Sequence, residues 1–292
     1  MYSNKLYSPL RYPGGKARFA PYIAAIMRSN SLDEGQYLEP FAGGAGVALE
    51  LLFDGHASHI HINDLDPAVH AFWLAATSDP EGLLKLLHDT PITMDQWHYW
   101  RTVMLNQDPG LTIAELGFAT LFVNRTNRSG ILKGGVIGGK NQSGSYKLDA
   151  RFSKEMISAR LDRIALNAGR ISVYCEDAYQ LLSRASEFLP TRSLIYLDPP
   201  YYVKGRGLYR NFYKHADHLQ IAQLLQSAEF DRSWVVSYDS APEICEMYSK
   251  NEGLSYGLHY TAQARYVGDE VMFFKEGITV PDAEIPRATV AA

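Results

Sequence analysis

The segment Tyr37-Leu-Glu-Pro-Phe-Ala-Gly-Gly-Ala-Gly46 restricts the folds open to this chain more than any other stretch. A short apolar run enters a glycine-rich turn, and the turn opens onto the helical pattern Val47 to Phe53. A second run, Ser58-His-Ile-His-Ile-Asn-Asp64, then ends in an acid. Strand, turn, helix and strand in that order make a βαβ unit, whose strands lie parallel and whose carboxyl edge faces ligands. Further apolar runs at Ile171 to Cys175, Ser193 to Leu197 and Ser233 to Ser237 extend the sheet. A late pair, Ser255 to Thr261 and Glu270 to Phe274, suits an antiparallel edge. The fold class expected is α/β, a doubly wound, mostly parallel, seven-stranded sheet.

The residues at the strand ends say what such a sheet would hold. Glycines after the first strand and an acid about twenty residues on match the geometry in which a carboxylate accepts ribose hydroxyls, making Asp64 the ribose candidate. The spacing Phe41-Ala-Gly43-Gly44-Ala-Gly46 is not the pyrophosphate fingerprint, and no arginine follows Asp64 to take a 2′-phosphate. A cofactor with a ribose and no pyrophosphate fits better, and S-adenosylmethionine is the common one. Upstream, Leu10-Arg-Tyr-Pro-Gly-Gly-Lys16 supplies a sharp turn, a stacking face at Tyr12 and a charge at Lys16. It lacks the spacing of a nucleoside-triphosphate loop, which excludes that chemistry.

The run Ser193 to Leu197 leads into Asp198-Pro199-Pro200-Tyr201. Two prolines fix φ, remove two N–H donors and leave carbonyls free to accept. A nucleobase amine could donate one proton to the Asp198 carboxylate and another to the Pro199 carbonyl while the base stacks on Tyr201. Such a site positions an amine nucleophile. In isolation the same residues would serve as a strand ending in a proline turn.

Net charge is −4 but unevenly spread. From Asn124 to Arg170 ten Lys or Arg stand against three acids, so that segment is +7 and the remainder −11. One basic face is the footprint of phosphate contact, although a solvated charged face has the same composition. Between Ala75 and Leu166 the strand pattern gives way to helical periodicity at Pro80 to His88, Met94 to Leu105, Thr112 to Val123 and Ser153 to Asn167. A Gly/Asn/Ser/Lys-rich loop, Thr126 to Ala150, lies between the last two. The expected organisation is a catalytic domain at 1–74 plus 167–276, a helical subdomain at 75–166 and a tail at 277–292. After Tyr201, the segment Tyr202 to Lys214 mixes aromatics with Lys204, Arg206 and Arg210, a composition suited to a DNA-contacting lid or to a tyrosine-rich crossover.

Cys175 and Cys245 have no metal or framework spacing and read as core or near-core thiols, and the His59/His61 alternation reads as the outer face of a strand. No metal is expected. No apolar run reaches the length of a membrane span and no secretory signal is visible, so a cytoplasmic protein with no membrane partner is expected.

Glycine turn, ribose acid, Asp-Pro-Pro-Tyr and the leading Pro-Gly-Gly-Lys, in this order, resemble the Dam-type, alpha-ordered N6-adenine DNA methyltransferases over roughly Leu10 to Glu276. The resemblance implies a Rossmann-like methyltransferase fold and S-adenosylmethionine held by Tyr12, Lys16 and Asp64, with Asp198 near both cofactor and amine. Phe41 and Gly43 would line the methionine end, and Asp177 would approach the cofactor's adenine. Asp198, Pro199, Pro200 and Tyr201 would be catalytic. Asn124-Arg-Thr-Asn-Arg-Ser-Gly-Ile131 is similar to the family's target-recognition segment, with Asn127, Arg128 and Ser129 replacing its Cys, aromatic and Asn. Arg125, Arg128, Lys133, Lys140, Lys204 and Arg206 are the expected contacts to double-stranded DNA. Cytosine-N4 methylation uses the same amine geometry, RNA bases can be splayed in the same way, and a non-catalytic DNA-binding module would keep the same fold. A cognate restriction enzyme or other defence partner stays open. Carbon-5 methylation of cytosine is excluded, because neither cysteine sits in a Pro-Cys setting.

Overall fold

The computed structural model describes residues 6–12, 16–203, 213–260 and 266–282. Helix α1 (Ala20–Ser29) precedes β1 (Gly35–Glu39), α2 (Gly46–Phe53), β2 (Ala57–Asn63) and α3 (Pro67–Ser78). Four helices follow without a strand: α4 (Pro80–Asp89), α5 (Met94–Asn106), α6 (Ile113–Thr126) and α7 (Lys154–Ala165). The chain then resumes alternation with β3 (Ile171–Tyr174), α8 (Ala178–Ser183), α9 (Ala185–Phe188), β4 (Ser193–Leu197) and α10 (His215–Leu225). It ends with β5 (Ser233–Asp239), α11 (Pro242–Met247), β6 (Gly253–Tyr260) and β7 (Tyr266–Phe274).

The seven strands form one sheet in the order β3-β2-β1-β4-β5-β7-β6, parallel from β3 through β5. The chain winds outward from β1 to β3, then returns to β4 on the other side of β1. The reversal opens a crevice at the carboxyl ends of β1 and β4, where such sheets bind ligands. β7 runs antiparallel between β5 and β6, so only β6 is the edge of the late pair. Both strands begin earlier than their apolar runs, since the ladder extends from Gly253↔Phe273 to Tyr260↔Tyr266.

Period-two alternation divides the core between two faces. Tyr37, Leu194, Tyr196, Val235, Met272 and Phe274 turn to the layer of α1 through α7. Leu38, Ile195, Leu197, Trp234, Val236 and Phe273 turn to α8 through α11. The four inserted helices therefore share the core of the first face. Gly117 of α6 lets that helix approach α3, since a Cβ there would lie 2.9 Å from the Ala71 carbonyl oxygen. Thr120 on the next turn donates to the Ala68 carbonyl at 2.9 Å.

The long loop after α6 is organised by buried amides. Asn127 Oδ1 accepts from Trp97 Nε1 at 2.8 Å, and its Nδ2 donates to the carbonyls of Ile131, Leu132 and Gly134. Gln142 donates to the carbonyls of Ile137 and Gly139 and accepts from the Leu148 N–H. These bonds take the place of a ladder in a segment with too few apolar residues for a core of its own.

Two expectations are corrected. Both cysteines are exposed, Cys175 because it lies one residue past the sheet-edge strand β3 and Cys245 because it faces outward on α11. His61 is buried rather than on an outer face. Its ring packs 5.2 Å from Phe188 of α9, bonds Tyr174 and Gln36, and is pushed down to about 4 by burial, so it is neutral.

Asn63 ties three strand ends together. Its Nδ2 donates to the carbonyls of Pro40 and Glu176 and its Oδ1 accepts the Glu176 N–H. Asn63→Ala strands these buried groups and is expected to lower stability by about 2–4 kcal/mol in urea unfolding; an unchanged midpoint would contradict this role.

Candidate active site and cofactor cavity

Asp198 stands one residue beyond β4, at the crevice. Its Oδ1 accepts from Lys16 Nζ at 3.1 Å and from Ser237 Oγ of β5 at 2.9 Å. Among the described residues nothing bonds its Oδ2. Burial pushes the Asp198 carboxyl up and Lys16 opposes that lift. Burial alone would pull the Lys16 ammonium down, but Asp198 and Glu270 together hold it above its usual value, so it stays charged.

Glu270, on β7, is the second carboxylate on Lys16, at 3.1 Å. It is fully buried, and it also accepts from Tyr201 Oη at 2.5 Å and Tyr256 Oη at 2.9 Å. Lys16 donates in turn to Tyr201 Oη at 2.7 Å. The Tyr201 ring is therefore covered, with the ammonium 5.1 Å from its centroid. Just after it, the N–H groups of Tyr202 and Val203 donate to the two carboxylate oxygens of Asp239, at the end of β5.

The glycine turn is held from both sides. Asp64 Oδ2 accepts the Gly43 N–H at 3.1 Å, and Trp73 Nε1 donates to the Gly43 carbonyl at 2.8 Å. Gly43 has φ +46°, and a Cβ there would fall 2.7 Å from the Tyr12 ring, so the ring lies directly on the turn. Burial pushes the Asp64 carboxyl up to about 7, against the N–H groups of Asp66 and Gly43, and pushes Glu39 up to about 8.

These groups surround a cavity of about 550 Å³, within the range of small-molecule sites. Tyr12, Lys16, Phe41, Gly43, Asp64 and Asp198 all line it. Asp177 does not: its Oδ1 caps α8 and its Oδ2 accepts from Tyr213, while its neighbours Glu176 and Ala178 reach the cavity wall. The sheet side of the cavity is acidic, with Glu39, Asp64 and Asp66. The lining also carries Arg11, Arg125, Arg151 and Arg160.

A family model described as D12 class N6 adenine-specific DNA methyltransferase matches residues 12–265. The chain belongs to this family. It is an S-adenosylmethionine-dependent enzyme that methylates N6 of adenine in DNA. No curated protein sequence matches it. Among solved structures it is similar to a protein from Listeria monocytogenes assigned as a class I S-adenosylmethionine-dependent methyltransferase. The TM-score is 0.40 at 10% identity, covering 99% of this chain and 68% of that one. A protein from Pyrococcus horikoshii assigned as an RNA methyltransferase gives TM-score 0.41 at 11% identity, covering 93% and 87%. At these scores the likeness is loose.

The cavity of this methyltransferase fits the cofactor by the chemistry of its walls. Carboxylates at the ends of β1, β2 and β4 suit ribose hydroxyls and cationic groups, and the glycine at 43 adds no side chain of its own beneath the Tyr12 ring. Of the basic residues expected to meet DNA, Arg128, Lys133 and Lys140 are exposed, whereas Arg125 is only 6% exposed and turns into the cavity. Lys204, Arg206 and the Pro13-Gly14-Gly15 turn lie outside the described residues. Among the described residues no cluster of His, Cys, Asp or Glu is placed to hold a metal, and no helix is long and apolar enough to cross a membrane.

Asp239 and Glu270 bond residues of the candidate site and were missed by sequence reasoning. Asp239 carried a usable signal, an acid ending an apolar strand as Asp64 does. Glu270 carried none, since Lys16 and Tyr201 come from distant segments and Tyr256 meets it only once β6 pairs with β7.

Glu270→Ala leaves Lys16, Tyr201 and Tyr256 short of a buried acceptor and is expected to destabilise by about 3 kcal/mol in urea unfolding. Between the usual carboxyl value and about 7 the folded chain keeps a proton on Asp64 that the unfolded chain has lost. Stability therefore falls at this position as pH rises through that window. Asp64→Asn is expected to flatten the pH dependence of the melting temperature between about pH 4 and 7, and an identical slope would contradict the assignment.

Proposed function

We propose that the enzyme acts on an adenine extruded from double-stranded DNA, whose N6 amine is held against Asp198 and the Pro199 carbonyl. The observation that carries this reading is the division of labour within one carboxylate. Oδ1 of Asp198 is occupied by Lys16 and Ser237, while the side chain keeps an open edge to the cavity. Oδ2 is then the acceptor for one N6 proton, and the Pro199 carbonyl, in a segment stiffened by Pro200, takes the other. This arrangement aims the nitrogen lone pair away from both acceptors. S-adenosylmethionine, when bound, supplies the electrophilic methyl.

Asp198 need not be a strong base. The amine becomes acidic only as the methyl arrives, and a fixed acceptor that strengthens with developing charge is sufficient. Lys16 keeps the carboxylate oriented. Tyr201 is the proposed stacking partner of the base, which requires its hydroxyl to leave Glu270 and Lys16. Extrusion itself costs a few kcal/mol of unstacking.

The helices of residues 75–166 are the proposed target-recognition unit, set against catalytic segments 1–74 and 167–276 and a tail at 277–292. Arg128, Lys133 and Lys140 supply its phosphate or base contacts, with Lys204 and Arg206 flanking the extruded nucleotide. Cofactor contacts are assigned to Tyr12, Lys16, Phe41, Gly43 and Asp64, with Asp177 acting through its neighbours. This reading expects a short recognition sequence, a cytoplasmic setting beside the chromosome and, in a restriction system, a cognate nuclease for the same site.

Asp198→Ala is expected to reduce methylation at least about 10³-fold while S-adenosylhomocysteine still binds. Wild-type protein expressed in a methylation-deficient bacterium should leave N6-methyladenine at one short motif when the genome is sequenced for modified bases. A fully active Asp198→Ala enzyme, or N4-methylcytosine in place of N6-methyladenine, would sink the reading.

A further inference from the structure

Among the described residues none of the four arginines that line the cavity has a carboxylate within ion-pair distance, and three of them meet at one place. Arg125, on the last turn of α6, is 6% exposed, and its Nε is buried without a hydrogen-bond partner. Arg160 of α7 donates from Nη1 to the Ser8 carbonyl at 2.8 Å. Arg11 is fixed beside them. Its N–H donates to Asn124 Oδ1 at 2.7 Å, its carbonyl accepts from Asn124 Nδ2 at 2.7 Å, and its Nη1 reaches the Asn127 carbonyl. Gly130, with φ +73°, makes that approach possible, since a Cβ would lie 2.1 Å from the Arg11 carbonyl oxygen. Among the described residues no carboxylate lies within ion-pair distance of Arg11, Arg125 or Arg160. Burial and the two neighbouring cations pull the Arg125 guanidinium down to about 9.

A buried, unpaired charge is costly unless something neutralises it. Carboxylates line the cavity from the strand ends, whereas Arg125 and Arg160 line it from the inserted helices α6 and α7. S-adenosylmethionine also carries both signs: its sulfonium and ammonium are cations and its only anion is the α-carboxylate. The carboxylate is repelled from the wall that suits the rest of the molecule. We infer that Arg125, flanked by Arg160 and Arg11, is the receptor for the α-carboxylate of S-adenosylmethionine. This rests on the cavity being the cofactor site. A DNA phosphate presents similar anionic chemistry, but the buried guanidinium opens into the cavity that Asp64 and Gly43 also line.

The test compares two ligands by titration calorimetry on the full chain: S-adenosylhomocysteine and its decarboxylated analogue, which keeps the amine and lacks the carboxylate. Arg125→Gln should weaken S-adenosylhomocysteine about 10- to 100-fold and change the analogue less than about 2-fold. Arg160→Gln should show the same selectivity with a smaller loss, and Arg125→Lys should fall between. Because the variant removes an uncompensated charge, its unliganded melting temperature should hold or rise. Equal loss for both ligands overturns the assignment, as does unchanged S-adenosylhomocysteine binding with weakened DNA binding, which marks a phosphate site. Asp64→Asn serves as the separate control for the cavity: if it leaves both ligands unaffected, the cofactor site itself is misplaced and the inference falls with it.

Discussion

The Lys16 ammonium, shared between Asp198 and Glu270, is the contact on which the rest of the site depends. It joins the segment before α1, the end of β4 and the middle of β7, three pieces of chain far apart in sequence. Two carboxylates packed this close would repel each other and favour protonation, and the ammonium between them removes that pressure. The tyrosines then complete the shell, since Tyr201 and Tyr256 both donate to Glu270. With Oδ1 of Asp198 held by Lys16 and Ser237, the orientation of that carboxylate is set by geometry that no local motif could supply alone.

The parts of the molecule written in local pattern were readable in advance. Short apolar runs gave the parallel strands, the glycine turn fell after β1 and the acid after β2, and the Asp-Pro-Pro-Tyr segment marked the end of β4. What stayed hidden depends on partners far apart in sequence. Glu270 sits in an apolar alternation and looks like any strand residue until β7 is inserted beside β5. The inward turn of Arg125 was equally hidden, because a basic loop and a buried guanidinium have the same composition. Cys175 failed for a different reason, since burial at the end of a strand depends on whether that strand lies at the sheet edge.

The inserted helices are part of the same packing unit as the first face of the sheet. Gly117 and Thr120 lock α6 onto α3, and Trp97 of α5 reaches across to fix Asn127 at the start of the loop. The exposed cations Arg128, Lys133 and Lys140 are thereby mounted on a rigid base while their own backbone is held by amide side chains instead of a core. Such a construction lets the loop's outward residues vary without disturbing the helices below it.

The placement of β7 also orders events during synthesis. Lys16 emerges from the ribosome early and Asp198 much later, but the strand that carries Glu270 comes last and must slide between β5 and β6. Domains tend to fold as their chains are completed, and strand pairings of high sequence separation form late. A chain interrupted before its final hairpin would expose the unpaired edge of β5 and leave Lys16 with a single carboxylate. The complete Lys16 cluster therefore forms only after β7 has been made.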